Sequence, residues 1–348
     1  MTSYLEQLKS QGDFLTLTRK NEFSLPPANW RLDNGTQVEV WDTGIIYFQP
    51  DCPTDKDIAL SCAIHGNETA PIEICNSLID KIIKGEISLT QRVLFIFGNP
   101  PAINIGKRFV EENMNRLFSG THSKGEGLVN QERERAKAIE GYCERFFNSV
   151  EQGRYRALYD LHTAIRGSKN EKFAIYPYLH GNKWKKSQFS LLQACGVSTF
   201  LLMNAPATTF AYFASNSFGA DSFTIELGKV RPFGENDMTR FAAAEATFEA
   251  LITDGDLNLK PFDAADFEFY DVYRTVDRHT EDFRLNFADD VVNFTSYPLG
   301  FVLANDGGKE HVVDVEGEAI VFPNAKVALG QRALLTVIPM DVEGKLQD

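Results

Sequence analysis

The sequence predicts an α/β domain with a mixed, mainly parallel sheet flanked by helices, followed by a smaller all-β domain. Up to about residue 255, short apolar runs alternate with segments of helical period, which is the rhythm of strand–helix–strand units. Beyond that point, runs such as FEFYDVYRTVDR and QRALLTVIP alternate with turn residues and show no helical period. A chain of 348 residues also exceeds the usual size of one core. The expected division is residues 1–255, with 1–50 as an N-terminal β extension, and residues 256–348, with the junction near Asp254-Gly255-Asp256 and Pro261.

After a short amphipathic start, residues 36–50 read as a hairpin or edge pair around Gly44. DIALSCAIHG is a buried strand ending in Gly66, and Ile72, Leu78, Ile79, Ile82 and Ile83 recur at helical spacing in the segment after it. QRVLFIFGNP is the next strand, stopped by Asn99-Pro100-Pro101, and a polar loop runs from there to about residue 128. NQERERAKAIEGYCERFFNSVEQ reads as a long helix, and RALYDLHT, KFAIYPY, TFLLMN and SFTIELG as further strands with helical segments between some of them. The last helix lies in NDMTRFAAAEATFEALITDG, with Phe241, Phe248, Leu251 and Ile252 facing inward and Asn236 or Asp237 as N-cap.

Composition narrows the function. Hydrophobic residues at 43% and charged residues at 24% describe an ordinary globular chain, and the 27 Phe residues suit core and cavity lining. A net charge of −13 argues against nucleic acid as a partner. An acidic protein can still take an acidic small molecule if Arg or Lys concentrates locally. The five Cys are dispersed and lack a C-x-x-C, which predicts reduced structural thiols and a cytoplasmic setting. The N-terminal MTSYLEQLKSQGDF lacks an apolar signal core, and no apolar run approaches membrane-spanning length. Homo-oligomer formation stays open.

Four segments carry chemistry, each at the end of an apolar strand, where open α/β sheets bind ligands. In His65-Gly66-Asn67-Glu68, an imidazole and a carboxylate three residues apart can face one ion, a pairing that suits zinc. Alone, HxxE equally describes a surface His beside a carboxylate. In Asp160-Leu161-His162-Thr163, His162 could add a third ligand and leave a fourth position for water, with Asp160 orienting it or acting as a turn residue. Glu226, closing SFTIELG, is a buried carboxylate that needs work or a partner, as a general base or in an ion pair. Arg108, Asn115 and Arg116 lie within nine positions of one loop and can bind a carboxylate or an oxyanion.

Taken in order, HGNE, NPPAI with Arg108, NMNR, DLHT and IELG resemble the signature of the succinylglutamate desuccinylase/aspartoacylase family of zinc-carboxypeptidase-like aminoacylases. These matches span residues 65 to 228, and the trailing β-domain suits the family's two-domain layout. The resemblance implies one zinc ion per subunit, with His65, Glu68 and His162 as ligands. It implies Glu226 as general acid/base, Arg108 polarising the scissile carbonyl, and Asn115 and Arg116 holding a substrate carboxylate. The layout resembles the desuccinylase branch, implying hydrolysis of N-succinyl-L-glutamate to succinate and L-glutamate in arginine catabolism.

Two departures from the aspartoacylase pattern stand out. No Arg lies near Asn216, about ten residues before Glu226, and no Tyr occurs in VFPNAKVALGQR of the β-domain. The second carboxylate-binding group is therefore sought in Arg166, with Lys229 and Arg231 as further candidates. His122, His180, His279 and His311 are expected outside the ligand set. Hydrolysis of another N-acyl-amino acid or short peptide, and a non-catalytic zinc-containing binding protein, are the competing readings.

Overall fold

Two short helices, α1 (Tyr4–Gln11) and α2 (Phe14–Lys20), precede three antiparallel strands, β1 (Ala28–Arg31), β2 (Gln37–Asp42) and β3 (Ile45–Gln49). The structure is a computed structural model and describes residues 4–125, 129–149, 153–254 and 257–348. The expected hairpin pivots at Gly44, whose φ of 67° suits glycine. β3 then pairs with β5 and so continues the central sheet.

That sheet is built from β4 (Lys56–Cys62), helix α3 (Thr69–Ile83), β5 (Arg92–Phe97), helices α4 (Pro100–Asn104) and α5 (Gln131–Asn148), and β6 (Tyr155–Ala164). It continues through β7 (Phe173–Tyr176), the short β8 (Trp184–Lys185), α6 (Lys186–Ala194), β9 (Thr199–Leu202), α7 (Phe210–Phe218), β10 (Asp221–Lys229) and α8 (Ala242–Thr253). The expected loop from residue 99 therefore opens on a helix, because Asn99 caps it and Pro100 and Pro101 fill its first positions. Asp237 caps a 3-10 turn rather than the last helix, which begins five residues later at Ala242. The expected end of the long helix reaches Glu151 and Gln152, which lie outside the described residues, as do Gly255 and Asp256 of the expected junction.

β11 (Glu268–Asp277) opens the C-terminal part, followed by β12 (Arg284–Leu285), β13 (Thr295–Ser296), β14 (Val302–Asp306), β15 (Lys309–Val312), β16 (Ala319–Val321), β17 (Arg332–Pro339) and β18 (Leu346–Gln347). The main sheet runs in the order β1-β2-β3-β5-β4-β6-β10-β7-β9-β11-β17-β16-β13. Its centre, β5-β4-β6-β10, is parallel, while β1, β2 and β3 on one side and β17, β16 and β13 on the other add antiparallel pairs. The fold is thus a mixed α/β domain with an all-β C-terminal domain, and parallel pairing of β9 with β11 makes one sheet of both.

Both faces of the sheet centre are covered. Along β5, Val93, Phe95 and Phe97 join the core under α2, α3, α6 and α8, while Leu94 and Ile96 face the core under α5 and α7. This period of two on a strand buried from end to end explains its unbroken apolar run. Four of the five cysteines are buried and all are free, in keeping with structural thiols. Among the described residues no helix is long and apolar enough to cross a membrane.

The starts of β4 and β5 are fastened to α5 by a buried charge network. Asp57 accepts from Arg92 Nη1 at 2.9 Å and from Arg154 Nη2 at 2.8 Å, and Arg92 Nη2 donates to Ser149 Oγ at 2.8 Å. Removing one partner of such a pair strands buried charge. Asp57→Ala should destabilise the protein by about 3–5 kcal/mol in chemical denaturation. A loss below about 1 kcal/mol would show that water already screens the network.

Candidate active site

The parallel centre of the sheet lines up the C-terminal ends of β4, β6 and β10, and the candidate residues sit there. His65 follows β4 by three residues, after Ala63 turns the chain with a φ of 58°. Gly66 then passes so close to α4 that a Cβ would lie 2.2 Å from the carbonyl carbon of Ala102. Glycine is needed there for that approach.

The loop after α4 is held from beneath. The buried carboxylate of Glu132 accepts from Asn99 Nδ2 at 3.1 Å and from the N–H of Val110 at 2.6 Å. This anchors the stretch that carries Arg108, Asn113, Asn115 and Arg116.

Glu68 occupies the N-cap of α3, yet its side chain makes no capping bond. The carboxylate instead lies between the two histidines. Oε1 is 2.9 Å from His65 Nδ1, Oε2 is 2.9 Å from His162 Nδ1, and the Thr163 N–H donates to Oε2 at 3.1 Å. Asp160 and His162 alternate along β6, so their side chains share a face, and His162 Nε2 donates to Asp160 Oδ2 at 2.7 Å. On the other imidazole, His65 Nε2 donates to Asn113 Oδ1 at 2.9 Å, an oxygen that also accepts the Asn115 N–H.

These partners set the chemistry of the cluster. With its Nε2 proton committed to Asn113, a neutral His65 turns the lone pair of Nδ1 toward the carboxylate, while His162 meets Asp160 through Nε2 and Glu68 through Nδ1. His65 Nδ1 is buried and makes no hydrogen bond despite its 2.9 Å approach to Glu68. Burial and then Arg108 push the His65 pKa down to about 4, so this ring is neutral. Burial opposes a charged His162, but Asp160 and Glu68 outweigh it and hold the pKa well above the ordinary value. Positive charge therefore belongs at the point where the ring meets Glu68. One ligand atom from each of the three residues lies within 4.8 Å of the others, so a divalent cation fits between two imidazole nitrogens and a carboxylate. Asp160 and Asn113 orient the two rings, as outer partners of metal ligands do.

Glu226 is the register partner of His162 across β10 and β6. Its Oε2 is buried and has no hydrogen-bond partner. Burial, followed by repulsion from Glu68, pushes its carboxyl up to about 7. His65, His162 and Glu226 open on a cavity of about 860 Å³, which Arg108, Asn115 and Arg116 also line. Arg108 Nη1 donates to Glu68 Oε1 at 2.6 Å, and Arg116 Nη1 to the Asn115 carbonyl at 2.8 Å. Asn115 Oδ1 accepts the Phe210 N–H at 2.9 Å and so holds the start of α7.

Arg166 departs from its expected role. It lines the cavity, but its Nε donates to the Pro323 carbonyl at 2.8 Å, and its Nη1 bonds the carbonyls of Asp289 and Val291. These donors tie the end of β6 to C-terminal loops. Lys229 and Arg231 are exposed and do not line the cavity. His122 and His180 also stay outside, against Glu140 and Tyr212.

Two residues escaped the sequence analysis. Asn113 stands inside the NMNR motif, where its spacing from Asn115 could have flagged it. Arg332 enters the cavity wall from the C-terminal domain, at the end of the stretch VFPNAKVALGQR in which a tyrosine was sought.

Fold and site together define an α/β domain with a His-Glu-His cluster at its strand ends that could hold a metal ion, walled on one side by an all-β domain. Residues 54–252 match the succinylglutamate desuccinylase/aspartoacylase catalytic domain, and residues 265–340 match the AstE/AspA barrel-sandwich hybrid domain. The chain belongs to the succinylglutamate desuccinylase/aspartoacylase family. It is 54% identical over 336 residues to succinylglutamate desuccinylase of Shewanella sp. strain MR-7, covering 96% of this chain and 98% of the relative. The corresponding protein of Idiomarina loihiensis is 54% identical over 334 residues, with coverages of 95% and 97%. The crystal structure of succinylglutamate desuccinylase from Chromobacterium violaceum superposes with a TM-score of 0.83 at 37% identity, covering 96% of this chain and 99% of that one.

Metal analysis of the purified protein should give one divalent ion per chain, and His162→Ala should lose it. At a free zinc concentration of about a hundred times Kd, binding adds roughly 2.7 kcal/mol of stability. Chelation should accordingly lower the Tm by several degrees. An unchanged Tm on chelation, with full metal retained by the His162 variant, would rule out this centre.

Proposed function

We propose that this chain hydrolyses the amide of N-succinyl-L-glutamate to succinate and L-glutamate, using one zinc ion held by His65, Glu68 and His162. Residues 1–255 would form the catalytic unit and residues 256–348 part of the cavity wall. The observation that carries the reading is the buried, unpartnered Glu226 carboxylate, beside the three-ligand cluster and facing an arginine-lined cavity. The names of the relatives above agree with it.

A zinc ion bound there supplies Lewis acidity and lowers the pKa of water toward neutrality. Glu226 takes the proton from the attacking water as the C–O bond forms, and then delivers it to the leaving nitrogen, whereupon the amide C–N bond breaks and the carbonyl re-forms as a carboxylate. Glu226 stands beside His162 with a buried carboxylate oxygen that has no partner among the described residues, the placement that both halves of that transfer need. Arg108 lies against the cluster and aims positive charge at the carbonyl oxygen as it gains negative charge. Arg116 and Asn115 hold a substrate carboxylate and fix the amide beside the cluster. The substrate is a small acidic molecule, and the reaction suits a step of arginine catabolism in the cytoplasm.

The test is a substrate panel on metal-analysed protein. N-succinyl-L-glutamate should be cleaved with a kcat/KM at least tenfold above that for N-acetyl-L-aspartate or for short peptides. Glu226→Gln should keep one zinc per chain while kcat falls by about 10²–10⁴. Turnover near wild type in that variant removes Glu226 from the mechanism, and a preference for another acyl-amino acid overturns the substrate assignment.

A further inference from the structure

Arg332 is the first residue of β17 and ends the loop that follows Phe322 along the cavity. Most nearby arginines of the C-terminal domain are answered. Arg274 donates to Glu318 at 2.9 Å, and Arg278 to the Val327 carbonyl at 2.8 Å and to Glu281 at 2.5 Å. Arg332 is half-buried and, among the described residues, donates no hydrogen bond and forms no ion pair. The carboxylate that acts on it is that of Asp277, its register partner on β11, which stays outside ion-pair distance.

Besides Asp277, the charge that acts on Arg332 is the cation Arg108, and Arg332 acts in turn on Arg116. Arg116 sits in the same wall with Nη1 on a backbone carbonyl, and burial followed by Arg332 and Arg108 pushes its guanidinium well below the ordinary value. Burial, together with Arg108, pushes Arg332 down to about 10. Desolvated like charges repel, and removing a cation from water without a counter-ion is costly. Two planar guanidinium forks facing one cavity suit a shared carboxylate, which can accept from both.

We propose that Arg332, delivered from the C-terminal domain, is a specificity-determining residue that together with Arg116 clamps one carboxylate of the substrate. This rests on the proposed reading of the site as that of an acyl-amino-acid hydrolase. N-succinyl-L-glutamate carries three carboxylates, and the clamp reads one of them. The C-terminal domain would then contribute directly to substrate choice.

The experiment compares wild type, Arg332→Gln and Arg332→Lys, each at one zinc per chain and with its Tm checked. Four substrates are used: N-succinyl-L-glutamate and three analogues that each replace one carboxylate by methyl. These are N-butyryl-L-glutamate, N-succinyl-L-norvaline and N-succinyl-4-aminopentanoate. Arg332→Gln should lower kcat/KM for the full substrate by about 100-fold, mostly through KM. On one analogue the same change should cost less than about threefold, because the carboxylate it reads is already missing. Arg332→Lys, which keeps the charge and loses the fork, should fall between, and it carries the comparison if the Gln variant is unstable.

An equal loss on all four substrates would make Arg332 structural, and a loss below about threefold on the full substrate would also overturn the clamp. If wild type cleaves none of the four, the hydrolase reading fails by itself. Calorimetric binding of N-succinyl-L-glutamate then tests the clamp: Arg332→Gln should weaken it at least about tenfold, and equal affinity overturns the proposal.

Discussion

A buried carboxylate held against two histidine rings is the constraint on which the rest of the site depends. Glu68 is a poor choice to bury without partners, and the chain brings them from three directions. His65 arrives from the end of β4, His162 from β6, and Arg108 from the loop beyond α4. Each approach has its own requirement. The parallel register of β4, β6 and β10 brings distant parts of the chain to one edge, Gly66 lets α4 close over the turn, and Glu132 ties down the loop. A shift of one residue in β6 would turn Asp160 and His162 to the opposite face and dissolve the cluster.

The second domain is part of the same machine because the sheet does not stop at the boundary between matched regions. β11 pairs with β9 in parallel, and β17 pairs with β11, so the wall beside Glu226 is continuous backbone. Arg166 adds a side-chain tie from the end of β6 to the carbonyls of Asp289, Val291 and Pro323. A rigid seam of this kind suits a cavity whose groups come from both sides, since small misplacement of a binding group is expensive in rate.

Much of this arrangement could be read from the sequence, and the reasons are local. Strands buried on both faces write themselves as unbroken apolar runs, and parallel sheets gather their functional residues at the ends of those runs. His65, Glu68, His162 and Glu226 therefore stood out by position before any coordinates. For Arg166, adjacency to His162 did not reveal what its side chain would meet: it lines the cavity while Nε and Nη1 bond backbone carbonyls. Arg332 stayed hidden for the complementary reason. Its partners Arg116 and Arg108 lie more than two hundred positions away, and no short-range pattern marks a lone Arg at the start of a β-strand. The opening of α4 was legible in principle, since Asn-Pro-Pro is a capping residue followed by prolines at the first helical positions.

The distribution of charge follows from the same economy. With a net charge of −13, the few cations that line the cavity stand out against an acidic protein. Arg116 and Arg332 both line that cavity half-buried, and the charge of Arg332 acts on Arg116. A fold selected for stability alone would pair them with Asp or Glu, as it does for Arg92, Arg133 and Arg274. Donors left without a carboxylate partner are set in place in advance, and a carboxylate held as proposed between them would replace its water without requiring the protein to reorganise.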